Sequence, residues 1–123
     1  TALEMAIDDV SVTLAYEPRR DPSQLFIFCR LGRVPADREA AILRRLLEAN
    51  YARVLGTVIL SVDPATGEAI LEYSADMSQV TAESLAAGVT AAVETARLWG
   101  DSYFVHDILP ATNHAAVASA DFA

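Results

Sequence analysis

Apolar residues alternate with small or polar ones from the start of the chain. Leu3, Met5 and Ile7 are interleaved with Ala2, Glu4 and Ala6, and Val10, Val12, Leu14 and Tyr16 with Ser11, Thr13 and Ala15. A period of two predicts strands. Asp8-Asp9 between them is a turn signal, so the pair reads as a β-hairpin. A polar loop bounded by Pro18 and Pro22 leads to a third strand, Leu25 to Leu31. Leu25, Phe26, Ile27 and Phe28 make this strand apolar on nearly both faces, which predicts cover on both sides. Gly32 and Pro35 are expected to end it.

The period then changes. Leu43, Leu46, Leu47, Tyr51 and Val54 recur at helical spacing, predicting a helix over 37–53 with Asp37 as its N-cap. Arg38, Glu39, Arg44, Arg45 and Glu48 lie mostly off that stripe. Asn50, close to the stripe near the helix end, is expected to hydrogen-bond the chain turning back. Gly56 breaks the helix. Thr57 to Val62 and Ala69 to Tyr73 read as two strands joined by Asp63-Pro64-Ala65-Thr66-Gly67, a strong hairpin signal because Gly supplies a positive φ. Thr81 caps a last long helix with the acid Glu83 in its first turn. Its stripe is Leu85, Gly88, Val89, Ala92, Val93, Ala96 and Trp99, dominated by small residues that allow close packing on a sheet. Gly100 is the expected stop. From Ser102 no period holds.

These elements give an α+β fold: a twisted, mainly antiparallel five-stranded sheet packed with helices, in the order β-β-β-α-β-β-α. Residues 1–101 form the domain, and 102–123 an irregular C-terminal tail. The 123 residues are 53% hydrophobic, yet carry a net charge of −8. A disordered acidic chain would be poor in apolar residues. This one therefore folds and keeps apolar surface for a partner, with the charge maintaining solubility. The nine basic residues are all arginines and are scattered. The only local group, Arg38, Arg44 and Arg45, shares its helix with acids, so no basic face for nucleic acid forms. No stretch approaches the length of apolar chain that spans a bilayer. The single cysteine, Cys29, excludes an internal disulfide, fits a reducing compartment and reads as core.

Chemistry finds little to work with. His106 and His114 both fall in the tail, and with Asp107 they match no metal-ligand spacing. A Ser-His-Asp or Cys-His arrangement is hard to build in the folded body. Without lysine there is no phosphate-binding Gly-x-x-x-x-Gly-Lys, and no G-x-G-x-x-G occurs. Asp8, Asp9, Asp63 and Asp76 sit at turns, where aspartate is expected for local hydrogen bonds. The expectation is a protein that is not an enzyme and uses no cofactor or metal.

Three stretches resemble the type III secretion chaperones of the Tir-chaperone (CesT/SycE-like) family. They are Ala2 to Asp9 with Val12 to Tyr16, Leu46-Leu47-Glu48-Ala49-Asn50, and Gly56-Thr57 through Asp63-Pro64-Ala65-Thr66-Gly67 to Ala96-Arg97-Leu98-Trp99. Together they cover most of residues 2–99, and their order and spacing carry the resemblance. It implies helix, three strands, helix, two strands, helix. The first helix is missing from this sequence, and the tail beyond Trp99 has no counterpart. The resemblance further implies a homodimer in the bacterial cytoplasm. It would bind the N-terminal segment of a secreted effector in an extended, export-competent form, without chemistry. Candidate effector-binding residues are Leu3, Met5, Val12, Leu14, Phe26 and Phe28. Candidate dimer residues are Leu43, Leu47, Tyr51, Val58, Ile59 and Leu60. In each set the alternative is ordinary core. The alternative family is YbjN-like, a regulatory or adaptor module of similar fold with an undefined protein partner. A small hydrolase, the third reading, would need a closed pocket with convergent polar groups.

Overall fold

The structure, a computed structural model, describes residues 1–52 and 58–103. It contains β1 (Ala2–Ile7), β2 (Val10–Ala15), β3 (Gln24–Arg33), α1 (Glu39–Ala52), β4 (Ile59–Val62), β5 (Glu68–Asp76) and α2 (Ala82–Ser102). The strands form one antiparallel sheet in the order β1-β2-β3-β5-β4. Fold class and element order agree with the pattern of the sequence.

Two hairpin turns set the register at either end of the sheet. Asp8 and Asp9 both take positive φ, 51° and 66°. Positive φ at both central residues matches the twist of a two-residue hairpin, and aspartate tolerates it. Ile7 therefore pairs with Val10, Met5 with Val12 and Leu3 with Leu14. In the β4–β5 turn, Gly67 has φ 75°. Its N–H donates to the Asp63 carbonyl at 2.7 Å, and the Ala65 N–H donates to Asp63 Oδ1 at 2.9 Å.

Pairing Val12 with Cys29, Cys29 with Leu71 and Leu60 with Leu71 puts these side chains on one face of the sheet. Both helices lie on that face. Ile42 and Leu46 of α1, and Val89, Ala92, Val93, Ala96 and Trp99 of α2, join Val12, Ile27, Cys29, Leu60, Leu71 and Tyr73 in one core. Ile27, Ile42 and Leu71 are wholly buried, each contributing about 2–3 kcal/mol. The small stripe of α2 lets it approach closely, and Cys29 Sγ lies 3.5 Å from the Ala92 carbonyl. Thr81 caps α2 as expected: its side chain accepts from the Ser84 N–H, and the Ser84 hydroxyl accepts from the Thr81 N–H.

Four local expectations are corrected. Asp37 does not cap α1; it lies inside a 3₁₀ turn over Ala36–Arg38, entered from Pro35 with no side-chain cap. Gly32 does not end β3. It sits at a register shift after Arg30 with φ 131°, and a Cβ there would lie 3.5 Å from the Trp99 ring. The glycine thus lets the strand bulge beneath the indole. Gly100 does not stop α2, which ends instead at Tyr103. That residue is left-handed, and its N–H donates to the Trp99 carbonyl at 2.7 Å. Its ring packs edge-on against Trp99 at 5.0 Å and lies under the Arg38 guanidinium. The stripe of α1 is also rotated. Ile42 and Leu46 enter the core, Leu43 and Asn50 are half-buried, and Leu47 and Tyr51 face outward. Val54 and Thr57 lie outside the described residues, as do Phe104 and the rest of the tail.

Two substitutions test this packing. Gly88 faces the Tyr73 hydroxyl so closely that a Cβ would overlap it. Gly88→Ala should destabilise by about 1–3 kcal/mol, and Tyr73→Phe should recover most of the loss in a double-mutant cycle read by urea unfolding. The Tyr73 hydroxyl is buried with no partner among the described residues, so Tyr73→Phe alone should be neutral or stabilising.

Candidate binding surfaces

With both helices on one face of the sheet, its two edges, the outer side of the helices and the opposite face remain for a partner. The edges are treated differently. At β4, the Asn50 side chain donates to the Leu60 carbonyl and accepts from the Leu60 N–H, both at 2.8 Å. It acts as a peptide unit would and occupies the edge at that residue. At β1, hydrogen-bonded pairs fall on Ile7–Val10, Met5–Val12 and Leu3–Leu14. The bonds between Thr1 and Tyr16 continue the same alternation. By the antiparallel pattern, the N–H and C=O groups of Ala2, Glu4 and Ala6 therefore point away from the sheet. Nothing among the described residues pairs with them. Leu3, 59% exposed, stands beside this edge on the helix-bearing face.

The second surface is the outer side of α1. Leu47 and Tyr51 are one turn apart and are 68% and 90% exposed, with half-buried Leu43 a turn before them. Residues four apart share a helix face, so the three form one stripe: Leu43 packs against the edge of the core, and Leu47 and Tyr51 turn away from it. Ile59, at the edge strand, is 52% exposed.

The third surface is the helix-free face of the sheet. Phe26 and Phe28 of β3 point to it, opposite Ile27 and Cys29. Phe26 is buried without belonging to the main core. The Arg20 guanidinium lies 4.6 Å from its ring centre. At the other end of the same face, Arg30 Nη1 lies 2.8 Å from Glu68 and 3.1 Å from Asp63, tying the β4–β5 turn to β3.

The expected partner residues therefore do not form one patch. Leu3, Met5, Val12 and Leu14 share the helix-bearing face, where Val12 is fully buried and Met5 and Leu14 pack against the core. Phe26 and Phe28 are one step out of phase and lie on the other face. In the second set, Leu47, Tyr51 and Ile59 are outward, Leu43 is half-buried, and Val58 and Leu60 are core. The residue that the sequence reading passed over is Ile42, whose spacing of four from Leu46 carried the true core phase of α1.

Acid–base chemistry is poorly served here. Burial pushes the Cys29 thiol up to about 12, and burial with the neighbouring Cys29 does the same for the Tyr73 hydroxyl. Neither group ionises near neutrality. No cluster of metal-ligating side chains occurs among the described residues; His106 and His114 lie outside them. A depression of about 530 Å³ lies between the first hairpin and α2, lined by Ile7, Asp8, Thr90, Val93, Glu94 and Arg97. Its Arg97 is paired with Glu94 at 2.8 Å. No described helix is long and apolar enough to cross a membrane.

These features describe a two-layer α+β binding protein, with an open strand edge and an outward apolar helix stripe. Comparison with known families is specific: the model of the Tir chaperone protein (CesT) family matches residues 2–100, and the chain belongs to that family. The family works by binding, and the protein is not an enzyme. Among solved structures, the fold is similar to one in the ExsC–ExsE complex. That match has 23% identity over 80% of this chain and 72% of that one, with a TM-score of 0.67. The HopA1–SchA chaperone–effector complex gives 18% identity, 80% and 73% coverage, and a TM-score of 0.62. The heterodimeric ExoU–SpcU complex from the type III secretion system of Pseudomonas aeruginosa gives 19%, 89% and 80%, and 0.52. No characterised protein matched by sequence search.

The turn aspartates make a prediction about acid. Asp21 is held below the ordinary carboxylate range by the Ser23 hydroxyl and N–H, Asp63 by the Ala65 N–H and then Arg30, and Asp76 by the Ser78 N–H and hydroxyl. A carboxylate with a depressed folded-state pKa stabilises the fold above its unfolded value, and that contribution is lost as pH falls through the folded one. The melting temperature should therefore drop below about pH 4. Asp63→Asn should shrink that acid-side drop in a pH series of thermal melts.

Proposed function

We propose that this protein is a type III secretion chaperone of the bacterial cytoplasm. It acts as a homodimer that holds the N-terminal segment of a secreted effector extended and competent for export. The observation that carries this reading is the β1 edge, unpaired among the described residues, with Leu3 exposed beside it, in a chain of the CesT family. An extended segment can add to such an edge through main-chain hydrogen bonds while alternate side chains seek apolar contacts. Its ordering cost weakens the complex enough to stay reversible. One solved structure of similar fold is a chaperone–effector complex, in keeping with such a partner. The dimer reading rests on Leu43, Leu47 and Tyr51. A stripe of this kind on a helix fits a self-complementary two-fold seam, with Ile59 at its flank.

Co-purification from the native cytosol with mass spectrometry should recover a secreted effector. Ala6→Pro removes only an outward-pointing N–H of β1 and should weaken that effector by at least tenfold while leaving the fold's circular dichroism intact. Undiminished affinity would count against edge addition. Leu47→Asp or Tyr51→Asp should each raise the dimer dissociation constant by about tenfold or more in sedimentation equilibrium. An unchanged constant would remove the α1 stripe as the seam.

A further inference from the structure

One transverse row of side chains crosses the helix-free face of the whole sheet. Glu4 stands beside Thr13, Thr13 beside Phe28, Phe28 beside Glu72, and Glu72 beside Ile59. Neither Glu4 nor Glu72 has an ion pair among the described residues. Arg30, diagonal to Glu72, is already engaged by Asp63 and Glu68. Glu72 is thus a half-buried carboxylate with an aromatic ring on one side and a half-exposed aliphatic chain on the other.

That environment suits one kind of visitor. An arginine or lysine can lay its aliphatic stem over Ile59 or Phe28 and present its charge to Glu72. The same face already shows the mode: Arg20 stacks on Phe26, two residues along β3 from Phe28. Phe28 has no such intramolecular arginine among the described residues. The chain's net charge of −8 favours a basic partner at long range as well.

The row also sets a spacing. Glu4 and Glu72 are three strand steps apart, about 14 Å at ~4.8 Å per step. Four residues of extended chain span about the same length at ~3.4 Å each. Side chains at positions i, i+2 and i+4 of an extended segment share one face. We propose that the helix-free face binds a client segment laid across the strands, with cationic side chains at i and i+4 and an apolar one between them. The two cations meet Glu4 and Glu72, and the apolar residue covers Thr13 and Phe28. This inference rests on the chaperone reading and names the chemistry of its client.

The test uses a short synthetic peptide, Gly-Ser-Arg-Thr-Val-Thr-Arg-Ser-Gly, with the full protein. Two control peptides replace both arginines by glutamate or set them three residues apart. The first peptide should bind, with amide NMR shifts centred on Thr13, Phe28 and Glu72, and both controls should bind more weakly. Glu4→Gln and Glu72→Gln should each weaken the first peptide about two- to fivefold, and added salt should weaken it further. Equal binding of either control, indifference to both glutamine variants, or shifts confined to the β1 edge would overturn the proposal. Shifts across this row on concentrating the protein alone would assign the face to a second copy and overturn it too. If a native effector co-purifies and binds the doubly substituted Glu4→Gln, Glu72→Gln protein undiminished, the face falls and the chaperone reading stands. A protein that binds the peptide as described yet recovers no exported partner supports the face and sinks the chaperone reading.

Discussion

The packing of both helices on one face of a five-stranded sheet determines the rest of this molecule. One layer of helix can satisfy one face. The small side chains along α2 permit a close approach, so the core is thin and dense, and Gly88 and Gly32 mark where Tyr73 and Trp99 need the space. What remains is a second face, two edges and the outer side of α1, each with its own way of meeting water or a partner.

Those boundaries divide the work by chemistry. At β4 a side-chain amide takes the place of a neighbouring strand, and the edge at Leu60 is spent within the chain. At β1 nothing among the described residues pairs with the outward backbone groups, and exposed backbone of this kind is what an unfolded segment can use without any particular sequence. The outward stripe of α1 offers the opposite: apolar side chains on a rigid element, suited to a surface of fixed shape such as a twin. On the proposed reading, backbone recognition for a disordered guest and side-chain recognition for a folded copy would fall on separate parts of the molecule. On the same reading, side chains such as Phe28 and Glu72 on the bare face would add a sequence preference.

Much of this was legible along the chain. Period two marked β1 and β2 because each has one face in the core, and Asp63 to Gly67 announced its turn because few residues accept a positive φ. Thr81 was legible as a cap because its role needs nothing beyond the next turn of helix. The misreadings share a cause. Asp37 satisfies the composition of a cap, but Pro35 and a 3₁₀ turn start the helix instead. Leu43, Leu47 and Tyr51 sit at helical spacing as cleanly as Ile42 and Leu46 do, and spacing alone cannot say which of two adjacent stripes faces inward.

The sequence by itself determined which segments are strands and helices and their order, since these follow from local periodicity and residue type. It also carried the family resemblance. Tertiary structure alone decided sidedness: that Phe26 and Phe28 oppose Val12 and Leu14, that Asn50 guards one edge while β1 has no neighbour among the described residues, and that Glu4 and Glu72 align across the sheet. Sidedness depends on the register between strands far apart in the chain and on which face the helices cover. Those are long-range choices, and no window of neighbouring residues contains them.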